Sequence, residues 1–236
     1  MRWSARRLAA EFVGTLALVA AIVGSGIAAA ELTADPGGRL AINAGATSLA
    51  LVAILTVLGP ISGAHLHPLV SIADAALGHR PWADVLGYVP AQFLGGIAGA
   101  VLANLMFARA AVTIGTTDRA TPAHLLAEVA ATAGLLAIVL VLARSGRARL
   151  APVVVAAYIG AAYFATSSTS FANPAVTIAR MFSDTFAGIA PASAVLFLAA
   201  QLAGGAIGVG AAVLFVPRSP TPDASPRSRP RRPTRR

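Results

Sequence analysis

The chain has 236 residues, 57% of them hydrophobic and only 11% charged, with a mean hydropathy of +0.75. A soluble domain carries about 25% charged residues, so this chain has too little polar surface to cover a water-exposed globule, and its lack of cysteine excludes disulfides, thiolate nucleophiles and cysteine-held metals. The net charge of +9 does not point to nucleic acid, because residues 217–236 alone hold seven arginines against one aspartate.

Six uncharged runs divide the remainder: residues 12–30, 40–73, 85–108, 129–143, 150–179 and 185–217. A helix crossing a bilayer needs about 20 apolar residues, which makes six spans the economical count. The first run is too long, and followed by too many others, to be a secretory signal. The runs ending at Ala73 and Ala179 are too long for one helix each. One contains Gly59-Pro60-Ile61-Ser62-Gly63 and the other Ser167-Ser168-Thr169-Ser170, both predicted as breaks. Roughly ten residues follow each break, about 15 Å of helix, or half the hydrocarbon thickness. Both are therefore read as a spanning helix followed by a re-entrant half-helix.

Arginine placement predicts the orientation. With both termini on one side, that side carries 14 of the 18 basic residues, all arginines. The opposite side carries Arg39, Arg109, Arg119 and Arg180. The positive-inside bias places both termini in the cytoplasm. The tail, residues 217–236, is predicted to be a disordered basic segment that either touches anionic headgroups or simply solubilises the end.

The two halves match in order. The segment from His67 to Ala73 lies 106 residues before that from Asn173 to Ala179, with four of seven positions identical. Gln92, Gly95 and Gly99 recur as Gln201, Gly204 and Gly208, and Glu11 and Thr15 recur as Glu128 and Thr132. Each half holds three spans, an odd number, so the second half lies inverted in the membrane. Inverted repeats bring their broken helices together near the midplane. Asn173 before Pro174 is a favoured helix start: the side-chain oxygen caps the first turn and the amide nitrogen remains free to donate sideways. Two half-helix N-termini facing one another repel cations and accept neutral hydrogen-bonding molecules.

Ser62-Gly63-Ala64-His65-Leu66-His67-Pro68-Leu69-Val70 and Ser170-Phe171-Ala172-Asn173-Pro174-Ala175-Val176 resemble the paired Asn-Pro-Ala loops of the aquaporin, or major intrinsic protein, family. Ala10-Glu11-Phe12-Val13-Gly14-Thr15 and Ala91-Gln92-Phe93-Leu94-Gly95 are similar to further family signatures, and the resemblance spans about residues 8–216. It implies an all-α membrane protein, six transmembrane helices plus two re-entrant half-helices, assembled as a homotetramer with one pore per subunit. By the same resemblance Glu11 and Glu128 accept hydrogen bonds from the re-entrant loops; a proton relay is the alternative. Gln92 and Gln201 are read as interhelical hydrogen bonders.

Two departures from the family pattern stand out. His67-Pro68-Leu69 replaces the first Asn-Pro-Ala, leaving His67 either an inert cap or a pore-lining group. Val176 follows the second motif, Asn173-Pro174-Ala175, where water-selective members carry an arginine. Counting back from the motifs, the other filter positions fall near Thr47, Ala161 and Ser170, small side chains that predict a wide filter without a bulky aromatic. Arg180 is expected to bond the half-helix C-terminus and headgroups; reaching back to the vestibule is the alternative.

These readings predict a passive cell-membrane channel for small neutral solutes: water, and polyols or metalloid hydroxides such as arsenous acid. The channel domain is residues 1–216, with halves of about 8–108 and 121–216. The lipid bilayer is a partner; neither nucleic acid, nor a metal or other cofactor, nor enzymatic chemistry is implied. A proton-coupled carrier using Glu11 or Glu128 is the rival.

Overall fold

The computed structural model describes residues 5–216 and contains no strand among them. Eight α-helices follow one another: α1 Ala5–Leu32, α2 Pro36–Ser62, α3 Pro68–Ala76, α4 Trp82–Met106, α5 Pro122–Arg144, α6 Ala151–Ala165, α7 Pro174–Arg180 and α8 Pro191–Phe215. A 3-10 turn, Ala148–Leu150, leads into α6. Among the described residues, six stretches are long and apolar enough to cross a membrane: α1, α2, α4, α5, α6 with its leading turn, and α8. Residues 217–236 of the predicted tail lie outside the described residues.

Proline opens five of these helices, at Pro36, Pro68, Pro122, Pro174 and Pro191. Its missing N–H and fixed φ suit the first helical position. Where a side chain caps, it is Asp35, His67, Thr121 or Asn173, immediately before the proline. Two boundaries differ from the sequence expectation. Pro60 lies inside α2, which runs on to Ser62, so the break starts at Gly63, where φ is +93°. The fourth span begins at Pro122 rather than after Glu128, which places that carboxylate in the helix's second turn.

Within each half the packing repeats. α1 lies against α2 and α4, α5 against α6 and α8, and α2 meets α6 where the halves join. A Cβ at Gly95 would collide with the carbonyl oxygen of Phe12, and one at Gly204 with that of Val129. The same holds for Gly99 against Leu16 and Gly208 against Ala133. Phe12 and Val129, like Leu16 and Ala133, are 117 residues apart, the offset that relates Glu11 to Glu128. The α1–α4 and α5–α8 crossings are therefore one motif used twice, with backbones brought close by small residues. Large apolar side chains such as Leu49, Leu86, Leu126 and Phe215 point outward, 68–75% exposed, as a hydrocarbon solvent allows.

The half-helices α3 and α7 fill the interior and touch each other. Both N-termini point inward, so the bundle holds two abutting half-helices inside six spanning ones.

Candidate functional site

The loops that deliver the two half-helices are strained. Ala64 and Leu66 have φ of +44° and +51°; Ser170 and Ala172, 106 residues later, have +52° and +46°. Such left-handed residues cost on the order of 1 kcal/mol each and leave backbone donors without helical partners. Glu11 and Glu128 satisfy those donors identically. Glu11 Oε1 accepts from Ser62 Oγ at 2.6 Å and His65 N at 3.0 Å, while Oε2 accepts from Leu66 N at 2.7 Å and Gln92 Nε2 at 2.8 Å. Glu128 Oε1 accepts from Ser168 Oγ at 2.7 Å and Phe171 N at 2.9 Å, and Oε2 from Ala172 N and Gln201 Nε2 at 2.8 and 2.7 Å. Gln92 and Gln201 also donate to Ser71 and Thr177 on the half-helices, at 3.1 and 2.8 Å. Both carboxylates are fully buried with four donors each, which is how a charge survives inside a bundle.

At the tips, the repeats cross over. Asn173 Oδ1 accepts from Ala175 N at 2.9 Å, capping α7, and its Nδ2 donates to the Leu66 carbonyl at 2.8 Å. His67 mirrors it: Nδ1 accepts from Leu69 N at 3.1 Å, capping α3, and Nε2 lies 2.7 Å from the Ala172 carbonyl. An Nδ1 that accepts leaves the ring proton on Nε2, so the imidazole is the neutral Nε2–H form. Its one donor is engaged. Asn173 keeps a second N–H.

A cavity of about 600 Å³ runs beside these tips. It extends from Arg149 and Asp74 at the face that carries the termini, past His67 and Asn173, to Val176 and Arg180. Leu18, Ile22, Leu51, Leu135, Val155 and Ile159 form an apolar wall, and the re-entrant loops supply the polar side. Gly63, Ala64 and His65 lie along that side, and their carbonyls accept no hydrogen bond among the described residues.

The expected filter positions divide. Thr47, Ser170 and Val176 line the cavity. Ala161 does not: it is exposed on the outer side of α6, and Tyr163 occupies the lumen side instead, its hydroxyl 3.2 Å from Thr47 Oγ1. Two residues along a helix turn a side chain through about 200°, so a two-residue offset moved the expected position to the wrong face. An aromatic therefore lines this level, contrary to the sequence expectation. Arg180 also departs from it. Rather than reaching headgroups, it is 2% exposed, donates through Nε to the Ala187 carbonyl, and lines the cavity. Pro68, Leu69, Pro174 and Ala175 are buried within the half-helices; of these, none borders the cavity.

At the other mouth lies a charged network that sequence reading missed. Arg80 donates to Asp74, Asp84, Tyr88 and the Ser62 carbonyl at 2.9–3.3 Å. Arg7 pairs with Asp84 at 2.9 Å, and His65 Nδ1 lies 3.0 Å from Ser71 Oγ. Asp74, Arg80, Asp84 and Tyr88 lie within 15 residues of one another, with Arg80 and Asp84 four apart, but Arg7 and Ser62 come from distant segments that only folding brings to them. Among the described residues, no cluster of His, Asp and Glu could hold a metal ion.

A family model described as "Major intrinsic protein" matches residues 2–170. The chain is 47% identical over 199 residues to "Aquaglyceroporin AqpS" of Rhizobium meliloti, covering 84% of this chain and 85% of that protein. It is 37% identical over 102 residues to the "Probable glycerol uptake facilitator protein" of Thermotoga maritima, an alignment covering 42% of each chain. The X-ray structure of the aquaglyceroporin from Plasmodium falciparum superposes with a TM-score of 0.66 at 21% identity, over 90% of this chain and 95% of that one. That last likeness concerns the fold.

Proposed function

The chain belongs to the major intrinsic protein family, and on that premise we propose that it is a passive channel for water and small uncharged solutes, with polyols and metalloid hydroxides such as arsenous acid as its larger permeants. One observation carries the reading: a single cavity is lined by His67 and Asn173, whose contacts lock the two tips, and by Val176 and Arg180 beyond them.

Permeation follows from the two unlike walls. Carbon or metalloid centres slide along Leu18, Ile22, Leu135 and Ile159, while hydroxyls donate to the loop carbonyls and accept from the spare Asn173 N–H. A solute that exchanges its hydration for these groups crosses at low cost. Cations meet the positive ends of α3 and α7 at the midplane. Thr47, Tyr163, Ser170 and Val176 form the filter, and valine in place of arginine leaves it wide. The role of His67 is to lock the loops, and that of Asn173 to lock and to donate. Glu11, Glu128, Gln92 and Gln201 are the scaffold that holds the strained loops.

The proton-coupled carrier is not favoured. Both glutamates are saturated by four donors, and neither lines the lumen. The multi-pass chain is read as one channel unit, residues 1–216, in the cell membrane with both termini cytoplasmic, as the arginine distribution supports. The exposed apolar surfaces are read as facing lipid and three further copies in a tetramer.

Proteoliposomes test the reading. Water, glycerol and arsenous acid should each equilibrate down their gradients faster than in empty vesicles, at rates indifferent to an imposed pH gradient. Uphill accumulation driven by that gradient would contradict it.

A further inference from the structure

Arg180 stands on α7 one turn, about 6 Å, beyond Val176. It is buried, and among the described residues no carboxylate lies within ion-pair distance of it. Two contacts aim it. Nε donates to the Ala187 carbonyl, and Cζ sits 3.4 Å from the centroid of the Phe171 ring. The neighbouring cation, Arg119, is also over that ring, at 5.4 Å, but its Nε and one η-nitrogen donate to the carbonyls of Gly188 and Phe186 at 2.9 and 3.0 Å, and it does not border the lumen. The η-nitrogens of Arg180 find no acceptor among the described residues, while the side chain lines the lumen with Tyr163, Ser170 and Val176. A buried guanidinium without a carboxylate is costly unless something else solvates it. Stacking on an aromatic face supplies part of that stabilisation, and the contents of the lumen are what remains to supply the rest.

We propose that Arg180 is the cation of the filter: positioned by Phe171 and Ala187, it presents its η-nitrogens to the lumen just beyond Val176. The proposal rests on the channel reading and deepens it. Width and charge are separated along the pore. Val176 leaves room for a polyhydroxylated solute, and the guanidinium one turn further repels cations and donates to the solute's oxygens.

The test reconstitutes wild type, Arg180→Gln, Arg180→Met and Arg180→Lys in liposomes. Glycerol permeation is read by light scattering, and methylammonium and proton flux by a trapped pH dye. Arg180→Gln can still donate to the Ala187 carbonyl, so it keeps the question open if Arg180→Met fails to fold. Loss of the charge raises methylammonium or proton flux per glycerol-conducting channel by on the order of tenfold or more, while Arg180→Lys stays close to wild type. Neutral variants that conduct glycerol with wild-type cation flux overturn the proposal, as does a lysine variant as leaky as the glutamine one. A wild-type protein that passes neither water nor glycerol overturns the channel reading instead.

Discussion

The imidazole of His67 donates its Nε2–H to the carbonyl of Ala172, 2.7 Å away, while its other nitrogen caps α3. The matching residue, Asn173, bonds Leu66 in the same way but retains a second amide hydrogen. The midplane therefore offers one side-chain donor to a passing solute, not two. His67→Asn restores the second, and we expect water permeability to rise by about threefold, the equivalent of roughly 0.5–1 kcal/mol of hydrogen bonding. Stopped-flow shrinkage checks this; an unchanged rate with an unchanged melting temperature contradicts it. Asn173→Ala removes the remaining donor and the α7 cap, so conductance falls and stability drops by about 1 kcal/mol.

Val176→Arg places a second guanidinium one turn from Arg180 in the proposed filter, where Tyr163 lines the same cavity. Glycerol permeation should fall more than water permeation, because the larger solute loses its clearance first. Equal loss of both in parallel light-scattering traces argues against the filter assignment.

Glu11→Gln and Glu128→Gln each replace an acceptor oxygen with an NH2 that faces existing donors. Either orientation sets N–H against N–H in a buried site. Each substitution should cost roughly 3 kcal/mol, by the same amount in both halves because the donor sets correspond. Thermal unfolding in detergent measures it, and a cost in only one half would break the equivalence.

Gly95→Ala and Gly204→Ala push a methyl into the carbonyl oxygens of Phe12 and Val129. Parting α1 from α4, or α5 from α8, should lower stability by about 1–3 kcal/mol. Gly210→Ala, with nothing within 4 Å of the new methyl, should be neutral or slightly stabilising. A melting series of the three variants tests the contrast.

Asp118, in the connection between α4 and α5, accepts from Ser193 Oγ at 2.6 Å and Ala120 N at 3.0 Å, and these bonds, that of Ser193 first, hold its carboxyl below the ordinary carboxylate value. A lowered folded value means the contribution is complete above the ordinary value of about 3.9 and is lost as pH falls through the lowered one. Hydrogen exchange at Ala120, corrected for intrinsic rate, should accelerate only in that acid window. Ser193→Ala should move the acceleration up toward the ordinary value; no movement contradicts the assignment.

Much of this architecture can be read without coordinates. Charge-free runs mark the spans because hydrocarbon excludes charge, and the recurrence of Glu11, Gln92 and His67-Pro68 as Glu128, Gln201 and Asn173-Pro174 marks the repeat, because each half needs the same devices to hold a strained loop. What the folded chain alone decided is which way side chains face. α6 is apolar all round, since lipid on one side and the lumen wall on the other favour the same residues, so no periodicity separates Ala161 from Tyr163. Likewise Arg180 could have reached headgroups or lumen; the position of Phe171 and of the Ala187 carbonyl settles it. His67 is legible as a cap, but the loss of its donor to Ala172 depends on a contact between residues 105 apart in the chain, a distance that folding closes and sequence order does not record.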